Sequence, residues 1–372
     1  MIFFIRLLKL AFFVVFRFFD WIFVKDNSVY VFGSQGGIKY FDNSRYLYEY
    51  ILKNHPEIKA FWVSKKRNFA VPGEQLIQGS LRYYYVIFLA KYVFVSYGMY
   101  DIGHVRFSRR TVVTQLWHGR PYKNIFFKKK NLSLLEWLVL KSEVSSYSLF
   151  LANDIEEKNH LVKCTGLNND AILIAGYPRQ DVLIEKKLDN VLFNNFKMRF
   201  DKIVTYAPTF RDDGTSPFEF LTLDQWCSFI SYLEEKNILL IVRAHLGDIS
   251  GLSGSISSLN NTENVFFAEA SQYLDVQDIL IVTDVLISDY SGLMYDFSLI
   301  SKKIIRFCPD MVDYKEKRGL VDGFEAMLPG NIVFCYQDLK RSLDLMLEYY
   351  CECEVFDNGI FRSSLILKAL PE

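Results

Sequence analysis

The chain has 372 residues, more than one hydrophobic core readily serves, so two domains are expected. Apolar residues make up 51% and aromatic residues 16%, which excludes a disordered chain. Lys plus Arg equals Asp plus Glu at 43 each, so the overall balance carries no nucleic-acid footprint and any basic patch must be local.

The N-terminal stretch MIFFIRLLKLAFFVVFRFFDWIFVK has neither the uninterrupted apolar core and small-residue cleavage site of a signal peptide nor the roughly 20 consecutive apolar residues of a spanning helix. Arg6, Lys9, Arg17 and Asp20 fall on one narrow helical face, and the remaining surface is Phe, Leu, Ile, Val and Trp21. This predicts an amphipathic, membrane-associating helix over 1–26, lying in the interface plane with its cationic side toward the headgroups. A first core helix and a tilted spanning anchor are the alternatives.

After Lys25 the pattern changes to short β-type runs: 28–34, 59–64, 92–98, 111–117, 171–176, 202–208, 237–245, 264–269, 284–289 and 303–307. Amphipathic segments at 43–54 and 221–237 lie between them, and alternation of this kind predicts parallel βαβ units. The fold class expected is α/β, with two Rossmann-type doubly wound domains over 27–195 and 196–345 and a C-terminal helical segment over 346–372. The boundary is set near residue 195 because 182–202 has helical spacing and no functional punctuation. In 123–141, Lys128, Lys129 and Lys130 stand between Phe126-Phe127 and a Leu- and Trp-rich helix. That segment reads either as a second membrane- or acceptor-facing patch or as a solvated end leading into a core helix. The Gly/Ser-rich stretch 247–261 reads as a surface loop. The six cysteines form no C-x-x-C and no zinc spacing, which suits reduced thiols in a cytosolic protein.

In open α/β sheets, ligands bind beyond the carboxyl ends of the strands. The residues at and just beyond five of those ends are His118-Gly119-Arg120-Pro121, then Tyr177-Pro178-Arg179, then Thr209-Phe210-Arg211-Asp212-Asp213, then Arg243 and His245, then Asp289-Tyr290-Ser291-Gly292. Together these look like a polyanion site approached by a general base. Ser291 and Gly292 would open a helix whose free N–H groups attract a phosphate, with Gly292 permitting close backbone approach. Arg179 and Arg243 could bind phosphoryl oxygens, and Thr209 offers a hydroxyl. His118 could take a proton from an attacking hydroxyl, and His245 could donate to a phosphate oxygen or leaving group. Asp212-Asp213 could hold a divalent cation, although a loop cap or ion pair with Arg211 is the simpler use. His55, His104 and His160 stand in ordinary surroundings. Dinucleotide, P-loop and hydrolase-elbow motifs are absent from the sequence.

The ordered blocks LWHGRPYKN (116–124), GYPRQDVL (176–183), YAPTFRDD (206–213), VRAH (242–245), ISDYSGLMYDF (287–297) and YKEKRGLVDGFEAMLPGNIV (314–333) resemble the CDP-glycerol glycerophosphotransferases of teichoic acid and capsule synthesis. GSQGGIKYFDNSRYLYEYI (33–51) looks like that family's opening motif. The resemblance implies a GT-B-like fold, two Rossmann-type domains facing across a cleft, and no cofactor or metal. It implies a peripheral protein on the cytoplasmic face of the membrane that passes glycerol phosphate, or another polyol phosphate, from CDP-glycerol or a related CDP-polyol to a hydroxyl of a lipid-linked glycan or growing polymer. CMP would leave. Carried over, donor contacts fall on His118, Gly119, Arg120, Pro121, Tyr122, Arg179, Pro208, Thr209, Arg243, Ala244, His245, Ser291, Gly292 and Asp296. His118 and His245 are the catalytic candidates, and Asp289, Arg211 and Asp322 are further candidates. The family commonly has Thr where this chain has Arg120, Ser where it has Gly292 and Trp where it has Phe210; the first two changes could reshape the pocket for ribitol or another alditol. The competing readings are a GT-B glycosyltransferase using a nucleotide sugar and a catalytically silent assembly protein.

Overall fold

The computed structural model describes residues 2–66, 69–129, 132–186, 188, 190–211, 213–243, 262–269, 272–273, 275–348 and 361–371, with 2–11 described by backbone alone. Two compact units divide the chain. The first comprises the residues up to His118, then Asn124–Asp181, together with the C-terminal helix; the second comprises Gly119–Lys123 and the residues from Val182 onward.

The first unit is built on seven strands: β1 (Asp26–Gly33), β2 (Lys59–Ser64), β3 (Glu74–Ile77), β4 (Ala90–Val95), β5 (Val112–Gln115), β6 (Leu149–Ala152) and β7 (Ile172–Ile174). Every pairing is parallel, in the order β3-β2-β1-β4-β5-β6-β7. A parallel sheet is covered on both faces, so its inner strands are apolar throughout: Val31, Phe32, Val93, Phe94 and Val95 are fully buried. Helix α2 (Asp42–Asn54) buries Leu47, Tyr48 and Ile51 on one face. The helix Ile155–Thr165 starts at Asp154, whose carboxylate accepts from the Glu157 N–H at 2.9 Å, and stops at Gly166 with φ 67°. The C-terminal helix Arg362–Lys368 is tied down by Asp181, which accepts from the N–H groups of Arg362 and Ser363 at 2.9 and 3.2 Å, and Ile366 enters the same core.

Helix α1 (Ile2–Ile22) also belongs to the first unit, and its Asp20 does not lie on an outward charged face as expected. Asp20 is fully buried; its carboxylate accepts from Lys25, from Ser108 N–H at 2.8 Å and from Ser108 Oγ at 2.7 Å. Phe16 stacks on Phe88 at 4.8 Å, and Arg106 lies 4.2 Å over Phe13. A carboxylate with three donors is better served inside than at a headgroup surface, so Asp20 turns inward. The outward side of the described turns is instead apolar: Val14, Val15, Phe18, Phe19, Trp21, Ile22 and Val24 are all about half or more exposed. Among the described residues no helix is long and apolar enough to cross a membrane.

Among its described residues the second unit has six parallel strands, β8 (Lys202–Ala207), β9 (Ile238–Val242), β10 (Val265–Phe267), β11 (Val285–Ser288), β12 (Ile304–Phe307) and β13 (Ile332–Val333). Their order, β10-β9-β8-β11-β12-β13, repeats that of the first unit's first six strands. The helix Leu223–Glu235 shows how the layers form: a Thr222–Gln225 capping box starts it, and Trp226, Phe229, Ile230 and Leu233 point into the core at helical spacing. The division between units falls at Asp181/Val182, not near residue 195. Asp181 is anchored to the C-terminal helix, whereas Leu183 and Phe193 are buried in the second unit's cores. The span 182–202 is also broken, into Gln180–Glu185 and Val191–Arg199, so residue 195 lies inside a helix.

Candidate active site

In a doubly wound sheet the strand order reverses at one point, and the loops leaving the two strands there part to form a crevice. In the first unit that point lies between β1 and β4, and in the second between β8 and β11.

The loop leaving β4 carries Ser96 and Tyr97, and both hold His118. His118 Nδ1 lies 3.1 Å from the Ser96 carbonyl oxygen. A carbonyl only accepts, so Nδ1 carries the proton and the neutral ring's lone pair sits on Nε2. The Tyr97 ring lies parallel to the imidazole, with centroids 4.4 Å apart and planes 3° apart, and Trp117 approaches at 4.2 Å. Behind them, Asp101 is fully buried and accepts N–H groups from Gly36, Ser96, Tyr97 and Gly98 at 2.9, 3.1, 2.7 and 3.2 Å. Burial pushes its carboxyl up to about 7 against those four donors.

The start of α2 completes the frame. Asn43 Nδ2 donates to the Trp117 carbonyl at 2.8 Å, and Ser44 N–H donates to Ser96 Oγ at 2.9 Å. Arg179 Nη1 donates to Asp42 at 3.1 Å and to the His118 carbonyl at 3.0 Å. Arg179 is thus engaged with the His118 peptide, within the first unit. Asp42 and Trp117 take φ of 63° and 57°, conformations that cost energy and persist because these hydrogen bonds over-determine them.

In the second unit, the loops leaving β8 and β11 are locked by a buried ion cluster. Asp289 accepts from Thr209 N–H at 2.9 Å and from Arg211 Nη2 at 2.9 Å; Arg211 Nε donates to Asp310 at 2.7 Å. Burial works against the Arg211 charge, but Asp289 and Asp310 outweigh it and hold the guanidinium protonated well above its ordinary range. Tyr290 stacks on Tyr314 at 3.8 Å and donates to Asp310 at 3.0 Å. Asp289 and Arg211 therefore shape the Thr209 loop, with Pro208 buried beside it.

The Ser291-Gly292 turn departs from expectation in two ways. The helix after it, Leu293–Ser298, has six residues, and its first amides are spent locally: Leu293 N–H on Ser291 Oγ at 3.3 Å and Met294 N–H on the Ser291 carbonyl at 3.2 Å. The space a Cβ would fill at Gly292 is taken by the chain itself, since that atom would meet Arg120 O at 2.6 Å and Arg120 N at 3.0 Å. Gly292 therefore admits the 119–120 backbone, not a phosphate. Arg120 is buried with its guanidinium 4.8 Å over the Tyr295 ring, and Tyr122 is buried against Phe324 at 5.5 Å. Half-buried Pro121 lies between them, and Gly119 enters this strap with φ 133°, a region that favours glycine. Asp296 is fully buried in the short helix.

Arg243 follows β9, where burial pulls its guanidinium down to about 10 and Nη1 donates to the Ala268 carbonyl at 3.1 Å. Ala244, His245, Asp212 and Lys130 lie outside the described residues, as does the 247–261 loop. Asp322 is exposed in the loop that Arg306 holds through the carbonyls of Phe324, Glu325 and Gly330. Asp213 pairs with Lys317 at 2.7 Å. No group of three or more His, Cys, Asp or Glu residues suited to a metal occurs among the described residues.

Asp42, Asn43, Ser96, Tyr97 and Asp101 are not among the residues expected at the strand ends. A signal was present: the run 92–98 ends in Ser-Tyr-Gly, and the β1 exit leads to Asp42-Asn43-Ser44. Only the strand order shows that these two exits flank the switch point.

Two sheets of one strand order, each with polar groups gathered at its switch point, define a protein of two doubly wound α/β domains. Residues 14–353 match the family described as CDP-Glycerol:Poly(glycerophosphate) glycerophosphotransferase, and the chain belongs to that family. It is 26% identical over 332 residues to the teichoic acid ribitol-phosphate polymerase TarL of Staphylococcus aureus, covering 86% of this chain and 57% of that protein. It is 27% identical to a teichoic acid glycerol-phosphate transferase of the same organism, covering 82% of this chain and 80% of that one. Among solved structures, the wall teichoic acid polymerase TagF superposes with a TM-score of 0.71 at 23% identity, covering 97% and 96% of the two chains. A histidine variant of TagF soaked with CDPG matches at 25% identity and a TM-score of 0.70, covering 92% and 89%. The chain spans between 42% and 63% of the length of these and other teichoic acid polymerases it matches in sequence.

Proposed function

We propose that the protein transfers a polyol phosphate, glycerol phosphate or a relative, from a CDP-polyol to a hydroxyl of a lipid-linked or growing teichoic acid-type acceptor. The observation that carries this is His118, held by the Ser96 carbonyl so that Nε2 is basic, within a chain that belongs to the glycerophosphotransferase family. In the reaction, Nε2 takes the acceptor hydroxyl's proton as its oxygen bonds to the β-phosphorus. The bond from phosphorus to the CMP oxygen breaks, and CMP leaves with the electron pair. Arg243, Thr209 and Ser291, with His245, supply charge and hydrogen bonds to the pyrophosphate, so that catalysis is positioning plus electrostatics. Relatives named for glycerol-phosphate and ribitol-phosphate transfer, and the CDPG soak of TagF, support this donor class.

The protein works at the cytoplasmic face of the membrane, where nucleotide-activated donors are present. What supports this is the exposed apolar side of α1, together with exposed Leu134, Trp137 and Leu138 on the neighbouring helix Leu134–Val144 and exposed Lys128 and Lys129 before it.

The test is CMP release from CDP-glycerol and CDP-ribitol with a lipid-linked acceptor. His118→Ala should lower turnover by about 10²-fold or more with the fold intact. Near-normal turnover would refute the base assignment, and release of UDP or GDP from sugar donors would replace polyol-phosphate transfer with glycosyl transfer. Silence toward every donor would favour an assembly protein.

A further inference from the structure

We propose that Tyr97, braced by Asp42, is a positioning residue that holds the His118 ring in place and stabilises its imidazolium form. A base that takes a proton becomes a cation, so whatever stabilises that cation promotes the step. On Nδ1 the Ser96 carbonyl orients the ring without bearing a charge. The aromatic face beside the ring adds an attraction for the cation. Tyr97 lies parallel to the imidazole at 4.4 Å, within the range at which a ring face attracts a cation, and Trp117 lies at 4.2 Å.

The Tyr97 ring is itself fixed at both ends. Its N–H donates to Asp101 at 2.7 Å, and the Asp42 carboxylate faces its hydroxyl. Burial and the Asp42 charge keep that hydroxyl protonated far above its ordinary range, so it remains a donor. Donation to a carboxylate leaves the ring face richer in electrons, which strengthens its attraction for a cation. Other charged groups face this place from the elements packed on it. Arg179, on the His118 carbonyl, opposes the imidazolium and is offset by its pair with Asp42. Asp101 is engaged by backbone amides, and Glu143 by Met99 N–H at 3.0 Å and Tyr147 at 2.8 Å.

The catalytic consequence rests on the proposed role of His118, but the titration of the ring does not. The experiment is NMR titration of the imidazole in the full chain, with the His118 signal assigned by its loss in His118→Asn. Tyr97→Leu should lower the His118 midpoint by about half a unit, and Tyr97→Phe, which keeps the ring and loses the brace, by less. A merely structural ring that excludes water would give the opposite sign, because opening the site to solvent favours the cation. An unchanged or raised midpoint in folded Tyr97→Leu overturns the proposal. Should that variant not fold, the near-isosteric Tyr97→Phe decides, and an unchanged midpoint there overturns it. The acid limb of kcat/KM for CMP release should move with the midpoint. If the midpoint falls and the acid limb stays, the general-base reading of His118 fails while Tyr97 keeps its role.

Discussion

At the scale of single residues, glycines and carboxylates in this protein have meanings their types alone do not disclose. Gly292 has φ −60° and ψ −16°, a conformation open to any residue, so it is required for space and not for freedom. The space belongs to the Gly119–Arg120 backbone. The contact is with backbone atoms of the strap, so a side chain at 292 would meet it whatever residue stands at 120. Gly292→Ala should therefore destabilise the protein by about 1–3 kcal/mol, read as a lower urea midpoint at unchanged m-value. A cost below about 0.5 kcal/mol would mean that the strap shifts freely. Gly292→Ser should fare no better. Likewise Asp289 and Asp20 read as carboxylates for a ligand and a headgroup surface, and both are buried structural acceptors. Composition and spacing place a carboxylate near a turn, but only its neighbours decide whether it faces solvent, substrate or an amide.

At the scale of elements, strands with long β-branched and aromatic runs were legible to within a few residues, as at Lys59–Ser64 and Lys202–Ala207. Three strands were not. β3 reads EQLI, β6 reads LFLA and β13 has two residues; such short runs form because a parallel neighbour offers a ladder, which local sequence does not reveal. The loops after β8 and β11 depend on one such tertiary tie, the cluster of Arg211, Asp289 and Asp310. Replacing the cation alone leaves a buried carboxylate without its partner. Arg211→Leu should cost about 3–5 kcal/mol in equilibrium unfolding, and adding Asp289→Leu should restore only part of it, because Thr209 and Tyr290 N–H groups then lose their acceptor. If the double variant were as destabilised as the sum of both single ones, the two residues would not be coupled.

At the scale of the whole molecule, the face that α1 turns outward sets an expectation for membrane association. Phe18 and Trp21 are each 58% exposed, and burying such side chains in an interface contributes on the order of 1 kcal/mol or more apiece. Phe18→Ser combined with Trp21→Ser should weaken co-sedimentation with anionic vesicles about tenfold or more at unchanged thermal stability. Equal binding would move the docking surface elsewhere. The sequence by itself determined that there are two α/β domains and that their strands are parallel, and it offered His118 and His245 as the catalytic candidates. Those conclusions rest on local periodicity and on residue types at strand ends, which the chain carries wherever it folds. Only the tertiary structure decided which strand ends meet, because strand order is a property of pairing and not of spacing. It put Ser96 and Tyr97 beside His118, engaged Arg179 with the His118 peptide, and gave the space over Gly292 to the backbone of Arg120. It also turned Asp20 inward, since two of its donors, the N–H and hydroxyl of Ser108, come from 88 positions away in the chain.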